Sequence, residues 1–256
     1  MKCKHTHKIS GKEIACTMET FISDIPIDKF DRCIFHSEDL KWKKNNNFVT
    51  LFRELLSHIY NVNLSSFGFY DFIFVGENLN LDYEVENILY FKKLLSKTLL
   101  TFYDCQFYCE VVLEQCVFKD ALNIVNCNFM KQVLLNSCTF YNELDIFNNC
   151  SFKKKLGIYN QNTFNNNVQI ADTVFNDDLE INNNQIYGTL RINNNTFSPD
   201  FGINLYHNEF LLGFSIKNNL NIGEVNIEEN KIKGNSLLNI LNKLISYYLI
   251  IIFIVN

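Results

Sequence analysis

Four residues near the start of the chain are of types that hold a metal. Cys3, Cys16, Cys33 and His36 follow the spacing C-x12-C-x16-C-x2-H, and Cys33-Ile34-Phe35-His36 forms a close pair. Three thiolates and one imidazole are the donor set of a structural, tetrahedral zinc site. A short polar segment with little core of its own needs such a staple to fold. His5 and His7 are substitute ligands in the same segment. The competing reading is ordinary buried thiols, since only one pair has knuckle spacing and Cys3 lies close to the terminus.

Other chemistry is sparse. A second cysteine group, Cys105, Cys109, Cys116, Cys127, Cys138 and Cys150, is evenly spread through the middle of the chain. A buried row of small residues explains these thiols without redox or metal work. Glu54 and His58 share a helix face at i, i+4 and read as exposed positions. His207 reads as a solvated corner residue. Asp177-Asp178 and Glu228-Glu229 are too few to cage a cation. No Gly-rich phosphate loop, H-E-x-x-H or G-x-S-x-G occurs, so no catalytic residues and no enzymatic activity are expected.

The elements that must position the cluster are set by a repeat. From Phe107, large apolar residues recur in steps of 6 and 5: Phe107, Leu113, Phe118, Ile124, Phe129, Leu135, Phe140, Ile146, Phe152 and onward. The steps stretch by one near Phe152, and the series resumes after Ser198-Pro199-Asp200 with Leu205, Phe210 and Ile216. A second inward position precedes each by two residues. It is aliphatic before the aliphatic member, as in Leu122, Val133 and Leu144. Before the Phe it is small or polar: Cys105, Cys116, Cys127, Cys138 and Cys150, then Asn162, Thr173, Asn184, Asn195 and Asn208. In-out-in triplets with polar corners are strand stubs, too short for helices. Leucine-rich repeats fail on period, because they need 20–29 residues and these strings restart after 11.

Cys-Asn-Phe at 127–129, Cys-Thr-Phe at 138–140 and Cys-Ser-Phe at 150–152 resemble the triplet of the pentapeptide-repeat family. Leu-Asn-Ile at 122–124 and Leu-Asp-Ile at 144–146 resemble it with a larger first residue. The steps of 5 and 6 depart from strict fives, and the resemblance covers roughly residues 63–234. It implies a right-handed quadrilateral parallel β-helix with four stubs per coil. On this chain a coil would be 22 residues, and Phe107 to Ile232 about six coils. At about 4.8 Å between coils the rod would be roughly 30 Å long. Some members of the family also carry a short Cys/His element before the repeats. Others occupy a topoisomerase DNA groove by mimicking nucleic acid, which needs a strongly acidic face.

Four segments follow: a Cys/His element at 1–42, a capping helix at 43–62, the β-helix at 63–234 and an apolar helix at 235–256. Phe48, Leu51, Phe52, Leu55, Leu56 and Ile59 sit at helical spacing, with Asn46 or Asn47 as N-cap. Phe67-Gly68-Phe69, Leu79-Asn80-Leu81 and Leu100-Thr101-Phe102 read as irregular first coils. The tail Leu237–Val255 either caps the last coil, dips into a bilayer as a short anchor, or marks a truncated relative of a longer protein. Uncapped ends would add strands from another molecule, so a homo-oligomer is one outcome.

Composition sets the outer limits. The chain has 256 residues, is 47% hydrophobic and 20% charged, and carries Phe 24 and Tyr 12, ample for a folded core. Its net charge of -5 gives no bulk case for nucleic-acid binding and is weak for DNA mimicry. An odd Cys count and a polar N-terminus without an apolar run place it in a reducing, cytoplasmic compartment, with membrane contact through the tail as the variant. The expected function is a non-enzymatic scaffold for an unidentified protein partner. The alternatives are a topoisomerase-interacting DNA mimic and a membrane-associated interaction module.

Overall fold

The computed structural model describes residues 2–9, 12–22, 24–62, 64–80, 84–240 and 246–252. They form a parallel β-solenoid of about seven turns with a 22-residue spacing, preceded by a Cys/His element and two helices.

Each coil has four sides. Two opposite sides carry four-residue strands, such as Leu122–Val125 and Val133–Asn136, and two carry two-residue strands, such as Asn128–Phe129 and Thr139–Phe140. All stack in parallel register: Leu122 on Leu144, Val133 on Leu156, Phe129 on Phe152, Phe140 on Phe164. Strand Glu224–Ile232 runs round a corner and joins a long side to a short side in one sheet.

The inward register is the expected one. Phe74, Phe107, Phe129, Phe152, Phe175 and Phe197 form one continuous stack, with centroid spacings of 4.3, 4.4, 4.7, 5.3 and 4.9 Å. Phe118, Phe140 and Phe164 form the facing stack at 4.9 and 4.8 Å. The coil rise is close to the thickness of an aromatic ring, so identical residues at one position pack face to face without strain.

Corners are turned by left-handed backbone. Asp104, Gln115, Asn126, Ser137, Asn149, Gln161, Asp172, Asn183, Asn194, His207, Asn218 and Glu229 have φ between 51° and 65°. Asn and Asp tolerate this region best among residues with a side chain, which is why they replace glycine here. Where a step is stretched, two adjacent residues take positive φ, as at Asn148 and Asn149 or Asn160 and Gln161. The extra residue is absorbed in the corner and the strand register survives.

The residue after each corner points inward. Asn162, Asn184, Asn208 and Asn230 form a buried ladder, with each Nδ2 donating to the next Oδ1 at 2.9–3.1 Å. Each Nδ2 also donates to a strand carbonyl: Leu135, Ile158, Ile181 and Leu205 in turn, at 2.7–3.0 Å. In the earlier coils cysteine holds the same place, with Cys116 and Cys138 donating to the carbonyls of Phe91 and Leu113. The Cys row is thus a structural predecessor of the Asn row.

Three expectations change. The single helix expected at 43–62 is two: α1 (Leu40–Asn45) and α2 (Phe48–Val62), broken at Asn46-Asn47, where Asn47 has φ 59°. The Leu79-Asn80-Leu81 triplet is not a coil stub. Glu77–Asn80 pairs antiparallel with Glu84–Lys92, and Leu81 lies outside the described residues. The apolar helix expected at 235–256 is replaced by strands Leu237–Ile240 and Ser246–Ile252, which pair in parallel with Phe214–Asn219 and Glu224–Ile232. β-branched Ile-rich sequence beside an unpaired strand edge is satisfied by continuing the sheet. Residues 241–245 and 253–256 of that tail lie outside the described residues. No helix among the described residues is long and apolar enough to cross a membrane.

α2 buries Phe48, Val49, Phe52, Leu55, Leu56 and Ile59. Its Phe52 meets Phe69, Phe74 and Phe91 of the first coil edge-on at 5.0–5.8 Å, so it lies across the N-terminal end of the stack as expected.

Candidate metal centre

Two local structures bring the four predicted ligands together. An antiparallel hairpin, β1 (Thr6–Ile9) and β2 (Lys12–Ala15), pairs Thr6 with Ala15. Beyond that pair, Cys16 N–H donates to His5 O at 3.0 Å, so Cys3 and Cys16 leave the open end of the hairpin side by side. Cys33 and His36 share one turn, in which the amides of His36 and Ser37 donate to Cys33 O at 2.9 and 3.0 Å.

Asp28 holds that turn. Its Oδ1 accepts from the amides of Phe30 and Arg32, and its Oδ2 accepts from Ser37 Oγ. Burial opposes ionisation of this carboxyl, but the hydrogen bonds from Ser37, Arg32 and Phe30 outweigh it and hold the group below its ordinary range.

The ligand atoms of Cys3, Cys16, Cys33 and His36 lie within 4.8 Å of one another, and all four residues are buried. Cys16 Sγ is 3.7 Å from Cys33 Sγ, while His36 Nδ1 is 3.9 Å from Cys3 Sγ and 3.0 Å from Cys33 Sγ. A tetrahedral ion with Zn–S of about 2.3 Å and Zn–N of about 2.0 Å sets donor edges of about 3.5–3.8 Å. The cluster has that size.

The imidazole is oriented for the task. His36 Nε2 is 3.1 Å from Tyr70 O, which can only accept, so Nε2 carries the proton and Nδ1 presents a lone pair to the thiols. His5 stacks on His36 at 4.1 Å, and its Nε2 is 3.2 Å from Asp71 Oδ2. His7 stacks on Tyr70 at 4.8 Å. Neither of these two expected substitute ligands belongs to the donor group; both brace it against the first coil.

Three buried thiols this close together oppose one another's ionisation. Hydrogen bonds from the Cys16 and Cys33 thiols, against the effect of burial, hold Cys3 far below the usual thiol range. The hydrogen bond to Cys3 pushes Cys16 up to about 12, and Cys16, Cys3 and burial together push Cys33 up. Burial keeps His36 neutral, its pKa lowered. A neutral imidazole beside thiols that cannot ionise together fits a divalent cation, which would remove that repulsion.

One residue escaped sequence reasoning. Lys43 of α1 is fully buried, and its Nζ donates to Phe35 O at 3.0 Å and to Ile73 O. It also sits 4.9 Å over the Phe48 ring. Burial lowers its pKa to about 7. Its Nζ bolts the Cys33–His36 turn to the first coil. One Lys among the three of Lys41-Trp42-Lys43-Lys44 carries no sequence signal for this, because both its acceptors are backbone carbonyls.

Among the described residues no other group of His, Cys, Asp and Glu converges in this way. Glu54 and His58 stay on the outer side of α2, where His58 meets the edge of Phe21. His207 is at a corner, paired with Glu229 of the next coil at 3.0 Å. Comparison of the chain with protein-family models, with curated proteins and with solved structures found no match.

Proposed function

We propose that this chain is a non-enzymatic interaction scaffold: a divergent solenoid of the pentapeptide-repeat type whose N-terminal end is closed by a zinc-stapled cap. The observation that carries the cap is the buried Cys3His cluster, tied through His36 Nε2 to Tyr70 O in the first coil. Cys3, Cys16, Cys33 and His36 would hold the ion. Zinc supplies charge neutralisation and a rigid four-way link between the hairpin and the Cys33–His36 turn. His5, Asp71 and Lys43 then transmit that rigidity to the solenoid.

The scaffold reading rests on the fold. Its outward residues are mostly polar, with Tyr141, Val174, Tyr187 and Leu212 exposed among them, and its backbone is paired from coil to coil, as in other repeat binding surfaces. The partner is taken to be a protein met in a reducing compartment. Elemental analysis of untagged protein tests the cap. About one zinc per chain is expected, lost in Cys33→Ser; metal-free, folded protein would remove the staple. A pull-down with immobilised protein tests the scaffold. A gyrase supercoiling assay beside it gives the DNA-mimic alternative its own outcome, and inhibition at micromolar protein would replace the scaffold reading.

A further inference from the structure

The first coils are not packed to the axis. An apolar cavity of about 70 Å³ runs inside them, from Phe52 and Leu56 of α2 past Leu113 and Leu135 to Leu156. Its lining is Phe, Leu, Ile and Val throughout. Val111, Val133 and Leu156 are successive members of one inward column, and the cavity follows that column along the solenoid axis. A water-sized group needs about 10–15 Å³, so the space takes about five methylene-sized groups. A void of this chemistry stays dry.

The cavity adjoins an outer cleft of about 540 Å³ between α2 and the first coil. Leu56, Phe91 and Leu94 line both spaces and form the partition between them. The cleft rim is cationic. Arg53, Lys92 and Lys93 line it, and Lys97 Nζ stands 5.0 Å over the ring of Tyr60, another lining residue. Arg53 is paired with Glu77 at 2.5 Å and Lys92 with Glu114 at 2.8 Å. Lys93 and Lys97 make no salt-bridge contact among the described residues, although Lys93 also acts at a distance on Glu114, so the rim carries more cations than paired anions.

From this juxtaposition we infer that the N-terminal coils bind a single-chain anionic amphiphile, a medium-chain carboxylate of about ten carbons. Its head lies among Lys92, Lys93 and Lys97, its first methylenes cross Leu94 and Leu56, and its terminal methylenes fill the axial cavity. A cationic cleft rim beside a carbon-lined cavity, separated only by the side chains of Leu56, Phe91 and Leu94 that the tail must displace, matches that ligand and no fully polar or fully apolar one. An axial space of about 70 Å³ has room for a single tail only, which favours a free carboxylate over a two-chain lipid.

The test is titration of the whole protein with decanoate below its micellar concentration, with butyrate and decanol as comparisons. Decanoate should bind at least about tenfold more tightly than either. ¹³C-decanoate bound to the unaltered protein should show its terminal methyl in contact with Leu113 and Leu135 methyls. Lys93→Glu with Lys97→Glu should weaken decanoate about tenfold while leaving decanol unchanged. Leu135→Phe, checked for an unchanged circular dichroism spectrum, should block the tail. Vesicles of a two-chain anionic phospholipid should not compete; competition would assign the cleft to a membrane instead. Absence of saturable decanoate binding up to millimolar concentration, or bound methylenes that never meet Leu113 or Leu135, would overturn the inference.

Discussion

Buried polar side chains inside the coils are held by complete hydrogen bonding. Asn184 is an example, because its amide is used on every side. It donates to Asn208 Oδ1 and Ile158 O, and its Oδ1 accepts from the backbone and side-chain amides of Asn162. Asn184→Ala should cost about 1–3 kcal/mol for each buried group left unpaired. Asn184→Cys should recover part of the loss, because cysteine already fills this place at Cys116 and Cys138. Phe129, stacked between Phe107 and Phe152, should cost about 3–5 kcal/mol on truncation to Ala. Corner residue Asn183 should tolerate Ser at little cost, as Ser137 already adopts the same backbone. Urea unfolding of the four variants checks the order; equal losses at 183 and 184 would contradict the inward register. Lys43 gives a pH signature. Its folded pKa of about 7 lies below the unfolded value of about 10.4. Between those values the unfolded chain holds the extra proton, so stability rises with pH across that window and is flat for this group below it. Relative to Lys43→Met, the wild type should gain up to about 1.4 kcal/mol per pH unit from about pH 7 to 10. Parallel pH profiles for the two proteins would show that the lysine stays charged.

Among the elements, what was legible in the sequence and what was not divide along physical lines. The stubs were legible because a two-sided strand imposes period 2 and a fixed coil length imposes register. Phe129, Phe140 and Phe152 therefore announced themselves by spacing alone. The donor set was legible because thiol and imidazole chemistry is carried by residue type. The hairpin that joins Cys3 to Cys16 was not foreseen, although Ser10-Gly11 between two four-residue runs is a two-residue turn signal. Lys43 was illegible because its partners are backbone atoms. The tail misled for a different reason. Leu237, Leu238, Leu241 and Leu244 suit a helix, but the edge of strand Glu224–Ile232 offers unpaired backbone that a strand satisfies at once. Deleting residues 246–256 should expose that edge and produce concentration-dependent aggregation in light scattering. A monodisperse, equally stable product would show that the last strand caps nothing.

At the scale of the whole molecule, each coil touches only its neighbours, so stability is a sum of local interfaces and the two ends are the weak points. One end carries α2, the hairpin and the Cys/His cluster; the other carries the strands of the tail. The cap is held by side-chain links such as His36 to Tyr70, His5 to Asp71, the Phe35–Phe72 stack at 4.8 Å, the His7–Tyr70 stack and Lys43 to Ile73 O, with the Ile73 amide donating to Phe35 O. Loss of the ion should therefore loosen the cap and the first strand, Ser66–Tyr70, without unravelling the coils beyond it. Hydrogen exchange on the zinc-loaded protein, before and after a chelator strips the metal, reads this directly. Protection should fall across residues 3–37 and 66–74 and persist from Leu122 to Ile232. Unchanged protection at residues 3–37 after complete metal removal, or equal loss along the entire solenoid, would contradict a metal-stapled cap on an independently stable rod.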